Sequence, residues 1–277
     1  MIRLVALDLD GTLVGPDLTV SARTRRAIAA AQAQGTVVTL ATGRMFDVTL
    51  TFARDLGLTA PLICYQGGLI RPPDGEPLYR ATMAPALMRE LLDWQAERGW
   101  HAVLYADDWA FIAGKRYPEE FYYRLLGRRL VWVDALLPLL ERHEPVKFLI
   151  VAEPPEADAI EAEMRARFGA VLGVVRSHAM FVEGNPPGVS KGDALRRLAA
   201  HLGISRSQVM AVGDQGNDRT MIEWAGIGVA MGNGSSAVRA VADWVAPPLE
   251  EDGAAAAIER FVLGGRRPSG DAASAAF

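Results

Sequence analysis

The chain opens with MIRLVALDLDG, an apolar run that breaks off at two carboxylates, Asp8 and Asp10, with Gly11 and Thr12 directly behind them. Val, Leu and Ile crowd the run, which predicts a buried strand of a parallel sheet. In open α/β sheets ligands collect beyond the carboxyl ends of such strands, so Asp8 and Asp10 stand where chemistry is expected. Two acidic groups two residues apart near a core are desolvated and repel each other unless a cation or a proton relieves them. Mg2+ is the natural relief. Asp-Gly is also ordinary turn chemistry, so a strand that merely ends in a polar turn is the lesser alternative for this segment by itself.

Residues 21–80 have the alternation of a βαβ fold. Ser21 can cap a helix over residues 23–34, stopped by Gly35, and TVVTLA at 36–41 forms a second apolar strand that ends at Thr42-Gly43-Arg44. A right-handed crossover lays this strand parallel to the first and brings Thr42 out on the same edge as Asp8. A helix over 46–56, a strand over 61–65 and a hairpin of 69–71 against 77–80 come next.

From about residue 82 the composition changes. Trp94, Trp100, Tyr105, Trp109, Phe111, Tyr117 and further aromatics crowd into a short stretch between regions rich in Ala, Gly and Arg. Helices are predicted at 86–98, 119–126, 135–142 and 156–168, and strands at 102–105, 110–113, 146–152, 170–175 and 179–183. This pattern suggests an antiparallel or mixed sheet covered on one face by helices. Core packing is the expected work of the aromatics. The βαβ pattern resumes with a helix over 191–202, a strand over 208–212 ending at Gly213-Asp214, and a helix over 217–224 that Asn217 could cap. Further elements at 227–231, 236–242, 244–245 and 253–261 complete it. The expected organisation is an α/β, Rossmann-like parallel-sheet core over 1–81 and 185–263, with an inserted α+β module over 82–184 and a disordered tail over 264–277.

Composition narrows the function. A net charge of −4 and no basic run longer than Arg266-Arg267 argue against nucleic-acid or anionic-membrane partners. No apolar stretch approaches the ~20 residues of a membrane helix, and Asp8 and Asp10 interrupt any secretory signal. The single cysteine, Cys64, excludes an intramolecular disulfide framework and suits a reducing cytoplasm. Small-molecule chemistry is left open, for a monomer or small homo-oligomer. The four histidines lack ligand spacing, so a zinc site is not expected. Lysine occurs only at 115, 147 and 191, which makes these three candidates for work that needs a compact ammonium.

Every functional candidate falls at a predicted strand end or at a helix start beside one. Together they match phosphoryl transfer through a carboxylate intermediate. Asp8 would attack phosphorus. Asp10 would protonate the departing oxygen and then deprotonate water. The Thr42 hydroxyl and the Gly43 N–H would hold phosphoryl oxygens, and Lys191 would neutralise them. Mg2+ would take Asp8 and Asp214 as ligands, with the Asp10 carbonyl alongside. Arg44 reads either as a contact to a second substrate anion or as a surface ion pair. Lys147, at a strand start in the inserted module, reads either as facing the substrate or, in preference, as solvated at a strand edge, and Glu183 is expected to belong to a hinge.

These residues carry a resemblance. DLDGTL (8–13), ATGR (41–44), VSKGDAL (189–195) and GDQGND (213–218), in that order and with an insertion between the second and third, resemble the four motifs of the haloacid dehalogenase (HAD) superfamily, Cof-type phosphatases with a type IIB cap. Gly232-Asn233 and Glu251-Asp252-Gly253 continue the pattern. The resemblance implies Mg2+-dependent phosphomonoester hydrolysis with Asp8 as nucleophile and Asp10 as acid and base. It also implies that Asn217 touches the phosphate and that Asp218 supports the metal. Gln66 departs from the family's usual Asn, and Gln215 from a smaller residue or Asn. The expected substrate is a sugar phosphate or a phosphorylated cofactor; a sugar phosphomutase and a catalytically silent binding protein of the same fold are the alternatives.

Overall fold

The computed structural model describes residues 1–264. The tail expected to be disordered thus lies, from 265 onward, outside the described residues. Strand β1 (Leu4–Leu7) is fully buried. Its side chains alternate between two apolar clusters, Val5 and Leu7 on one face, Leu4 and Ala6 on the other. Both faces of the sheet are therefore covered, which is why the strand reads as an unbroken apolar run. Helix α1 (Ala22–Ala33) starts where the Ser21 hydroxyl accepts from the Thr24 N–H at 3.1 Å, a cap that contributes about 1 kcal/mol. It crosses to β2 (Val37–Leu40), which pairs parallel to β1 in register Leu4 to Val37. After α2 (Phe46–Asp55), a separate antiparallel ribbon runs β3 (Leu62–Cys64), β4 (Leu69–Arg71) and β5 (Tyr79–Arg80).

The inserted module begins with α3 (Pro85–Arg98), then β6 (His101–Ala106), β7 (Trp109–Ala113), α4 (Glu119–Leu126) and β8 (Leu130–Val133). It goes on through β9 (Pro145–Val151), α5 (Pro154–Phe168), β10 (Gly173–His178) and β11 (Phe181–Asn185). Its six strands form one mixed sheet in the order β10-β11-β9-β6-β7-β8. In place of the helix expected over 135–142 stands a single 3-10 turn, Leu137–Glu141, preceded by β8. Pro138 removes a donor from the would-be helix, and Val131, Trp132 and Val133 favour the extended chain beside β7. Trp94 and Phe168 pack edge to face in this module's own core at 5.2 Å.

The parallel sheet is completed by α6 (Lys191–His201), β12 (Val209–Gly213), α7 (Arg219–Trp224), β13 (Ile227–Ala230), α8 (Ser236–Arg239), β14 (Trp244–Val245) and α9 (Gly253–Phe261). Its order, β14-β13-β12-β1-β2, sets β1 between β12 and β2. Residues that come after β1, β2 and β12 must therefore emerge side by side. Among the described residues no helix is long and apolar enough to cross a membrane.

Candidate active site

The carboxyl ends of β1 and β12 bring three carboxylates together. One oxygen each of Asp8, Asp214 and Asp218 lies within 4.8 Å of the others, and all three residues are buried. Lys191, the first residue of α6 and 1% exposed, places its ammonium 2.6 Å from Asp8 Oδ1 and 2.6 Å from Asp218 Oδ1. Asp214 receives the Thr12 hydroxyl at 3.2 Å and the Gln215 amide at 2.9 Å. Three buried negative groups thus face one buried cation. The imbalance shows in the pKa values. Burial, then Asp218, raise the Asp8 pKa well above the usual carboxylate range, against the pull of Lys191. The same causes push Asp214 up to about 6. Burial by itself would lower Lys191, but Asp218 and Asp8 outweigh it and hold the ammonium charged. An all-oxygen set with excess negative charge suits a hard divalent cation such as Mg2+. Gly11 is needed for this geometry: at φ 81° a Cβ there would lie 2.3 Å from Asp214 Oδ2.

Asn217 does not cap a helix. Residues Gly216–Asp218 make a 3-10 turn, and Asp218 Oδ2 accepts the backbone N–H groups of Asp214 and Gln215 at 2.9 and 3.0 Å. Asp218 takes the local backbone donors, so the Asn217 side chain is left to face a cavity of about 130 Å3. Asp8, Asp10, Thr42 and Gly43 line the same cavity, whereas Lys191, Asp214 and Asp218 stand behind Asp8. Thr42 is fully buried, and its hydroxyl accepts from the Arg44 N–H at 3.2 Å.

Asp10 and Arg44, separate in the expected roles, are joined in the structure. Arg44 Nε and Nη2 donate to the two Asp10 oxygens at 2.8 and 2.5 Å. The Asp10 side chain is half exposed and Arg44 is 15% exposed, so the pair forms one wall of the cavity mouth.

The opposite wall comes from the inserted module. Lys147 is not solvated at an edge: β9 lies inside the six-stranded sheet, and Lys147 is 4% exposed. Its ammonium sits 2.7 Å from Glu183 of β11 and donates to the Gly43 carbonyl at 3.2 Å. Tyr105, Phe181 and His178 line the cavity beside them. Glu183, expected at a hinge, is instead a buried wall residue that also accepts from Gln66 at 2.9 Å. A lysine and a glutamate set among apolar strand residues, VKFLI and FVEGN, were the available signal. Each lies on a strand face that only distant core residues, Gly43 and Gln66, make interior. Cys64 is buried, and burial pushes its thiol up to about 12, so it is no nucleophile at neutral pH.

Comparison with known proteins shows the family. The profile of the haloacid dehalogenase-like hydrolases matches residues 5–258. A Bacillus subtilis 5-amino-6-(5-phospho-D-ribitylamino)uracil phosphatase is 30% identical, covering 95% of this chain and 96% of its own. An HMP-PP phosphatase of Cronobacter sakazakii is 32% identical over 84% of this chain and 85% of its own. Among solved structures, a haloacid dehalogenase-like hydrolase from Bacteroides thetaiotaomicron superposes with a TM-score of 0.84 at 29% identity, covering 94% of this chain and 99% of that one.

Proposed function

The chain belongs to the haloacid dehalogenase-like hydrolases, and from that footing we propose that it is a Mg2+-dependent phosphatase. Its substrate is a small phosphorylated metabolite such as a sugar phosphate or a phosphorylated cofactor. The observation that carries this is the setting of Asp8. One of its oxygens is tied to Lys191 at 2.6 Å, and the residue also lines the cavity beside Thr42 and Asn217.

Asp8 Oδ2 attacks phosphorus, and the bond to the leaving oxygen breaks as that oxygen takes the proton of Asp10, leaving an aspartyl phosphate. Asp10, now a carboxylate, takes a proton from the water that attacks the same phosphorus, and orthophosphate leaves with Asp8 restored. Because both Asp10 oxygens accept from Arg44, proton transfer requires that pair to open. The Thr42 hydroxyl, the Gly43 N–H and the Asn217 amide hold phosphoryl oxygens. Lys191, behind Asp8, fixes the Asp8 rotamer and offsets the negative charge gathered there. Asp8, Asp214 and Asp218, with the Asp10 carbonyl, would hold Mg2+, which supplies the charge that lets an anionic nucleophile meet an anionic phosphate. Residues 82–184 act as a cap over the core of 1–81 and 185–263, excluding water and contacting the leaving group. The relatives named for small phosphorylated compounds support the substrate class.

Release of orthophosphate from p-nitrophenyl phosphate and from a panel of phosphorylated metabolites tests the reading. Activity is expected with Mg2+ and absent with EDTA; phosphate release indifferent to EDTA defeats it, and isomerised product without free phosphate points to a mutase. A second expectation concerns pH. Asp214 is held at about 6 by burial and by Asp218, so below that value a proton occupies the oxygens that a cation needs. Mg2+ affinity, measured by calorimetry, should therefore weaken as pH falls through about 6. An affinity equal at pH 5 and pH 8 contradicts this.

A further inference from the structure

Two consecutive residues other than glycine, Tyr65 and Gln66, sit at φ 51° and 60°, in the left-handed region that long L side chains seldom adopt. Such a backbone persists only where its surroundings hold it. On the core side, the Tyr65 N–H donates to the Arg44 carbonyl at 3.0 Å and the Gln66 N–H to the Thr42 carbonyl at 3.1 Å. The turn is thereby stitched to the segment that carries Thr42 and Gly43. From the inserted module come three more holds. The Tyr65 hydroxyl donates to Asp108, at the tip of the β6–β7 hairpin, at 2.7 Å. Its ring lies edge-on to Tyr105 of β6. Gln66 Nε2 donates to Glu183 Oε2 of β11 at 2.9 Å.

The last of these contacts has a direction. A carboxylate only accepts, so the nitrogen of Gln66 must face Glu183 and its oxygen must face away. Lys147 and Ser177 engage the other Glu183 oxygen, which leaves Oε2 to Gln66. Gln66 Oε1 in turn accepts from Asn217 Nδ2 at 3.0 Å. Asn217 Oδ1 is buried with no partner among the described residues. An unfixed amide would turn over to satisfy that oxygen, and Gln66 blocks the turn because only its oxygen faces Asn217. Gly43 leaves the room for this: a Cβ there would lie 2.3 Å from Gln66 Nε2. The Gln66 side chain thus bridges Glu183 and Asn217 beside Gly43.

We propose that Gln66 is a positioning residue that relays the placement of the inserted module, through Glu183, to the orientation of the Asn217 amide. Asn217 then offers its N–H to the phosphoryl group only while β11 stands over the site. This rests on the phosphatase reading above.

Gln66→Asn and Gln66→Met separate positioning from simple support of the fold, because both leave the Lys147–Glu183 pair in place. Asparagine is easier at positive φ than glutamine, yet it is one methylene too short to bridge Glu183 and Asn217. Methionine keeps the length and removes both hydrogen bonds. Gln66→Asn should melt at or above the wild-type temperature, while kcat/KM for p-nitrophenyl phosphate falls about tenfold and inhibition by orthophosphate weakens by a similar factor. Gln66→Met should show the same loss of activity. Wild-type kcat/KM and phosphate inhibition in both variants overturn the relay. A wild-type protein that releases no phosphate defeats the phosphatase reading instead. The relay is then decided by the side-chain 15N–1H resonances of Asn217 in Glu183→Gln, a change two hydrogen bonds away: displaced resonances support it, and unmoved ones overturn it.

Discussion

Asp8→Asn should lose phosphate release by at least about a thousandfold and yet fold as stably as the wild-type protein, or more so. Loss of a nucleophile removes the covalent route outright, and the comparable deletion in other covalent enzymes costs several orders of magnitude in kcat. The stability half rests on the sign of the pKa shift. Burial, Asp218 and Asp214 raise the Asp8 pKa, so its ionised form is disfavoured in the fold compared with the unfolded chain. A carboxyl raised in this way costs stability at every pH above its folded value, and an amide of the same shape removes that cost. Asparagine also keeps an oxygen for the Lys191 ammonium. Thermal melts in EDTA at pH 7, read beside phosphate release with Mg2+, check both halves. Residual turnover near the wild-type rate would remove Asp8 from the nucleophile's role.

Lys191→Ala is expected to act on the fold itself. The ammonium has two carboxylate partners at 2.6 Å, and its side chain and that of Asp218 are fully buried. Without it three buried carboxylates face one another with no countercharge. Breaking a buried pair from one side costs about 3–5 kcal/mol, which for a chain of this size lowers the melting temperature by roughly 10 °C. The pH dependence has a definite sign. Asp8 and Asp214, already raised, are pushed up further when Lys191 is lost, so the cost is full above their folded values and fades as protonation neutralises them. The deficit should be larger at pH 8 than at pH 5, and Mg2+ should recover part of it by binding only the folded cluster. A variant that melts like the wild-type protein at pH 8 without metal would show that the cluster does not depend on this lysine. Lys191→Arg should rescue poorly, since a planar guanidinium needs more room than a fully buried ammonium leaves.

Much of the scaffold was legible because local chemistry and tertiary demand agreed. The Ser21 cap, the Gly-terminated helix after it and the unbroken apolar run of β1 each have one reading, and the structure contains all three. The expected helix over 135–142 fails where they disagree, at Pro138 and beside the strand-favouring Val131-Trp132-Val133 before it. Asp8, Asp10, Thr42, Asn217 and Asp214 were legible as candidates because each comes after a strand, and parallel strands end on one edge. What stayed hidden were contacts between distant segments. Nothing local to Asp10 announces a bidentate partner 34 residues on. Lys147 looks like an edge residue until β9 is flanked by β6 and β11. Glu183 and Gln66, 117 residues apart, look unrelated until the module lies on the core.

The sequence by itself determined the βαβ alternation, the change in composition from about residue 82 and the set of acidic, hydroxyl and amide groups at strand ends, because periodicity, capping and turn chemistry act over a few residues. Only the tertiary structure decided which charges are buried, which carboxylates share Lys191, and that an amide in a left-handed turn joins the inserted module to Asn217. Burial and polarity at these positions depend on what packs against them from far along the chain. Asp8 illustrates both: its place at the end of the first strand could be read from eleven residues, whereas its raised pKa required Asp214, Asp218 and Lys191 to arrive beside it.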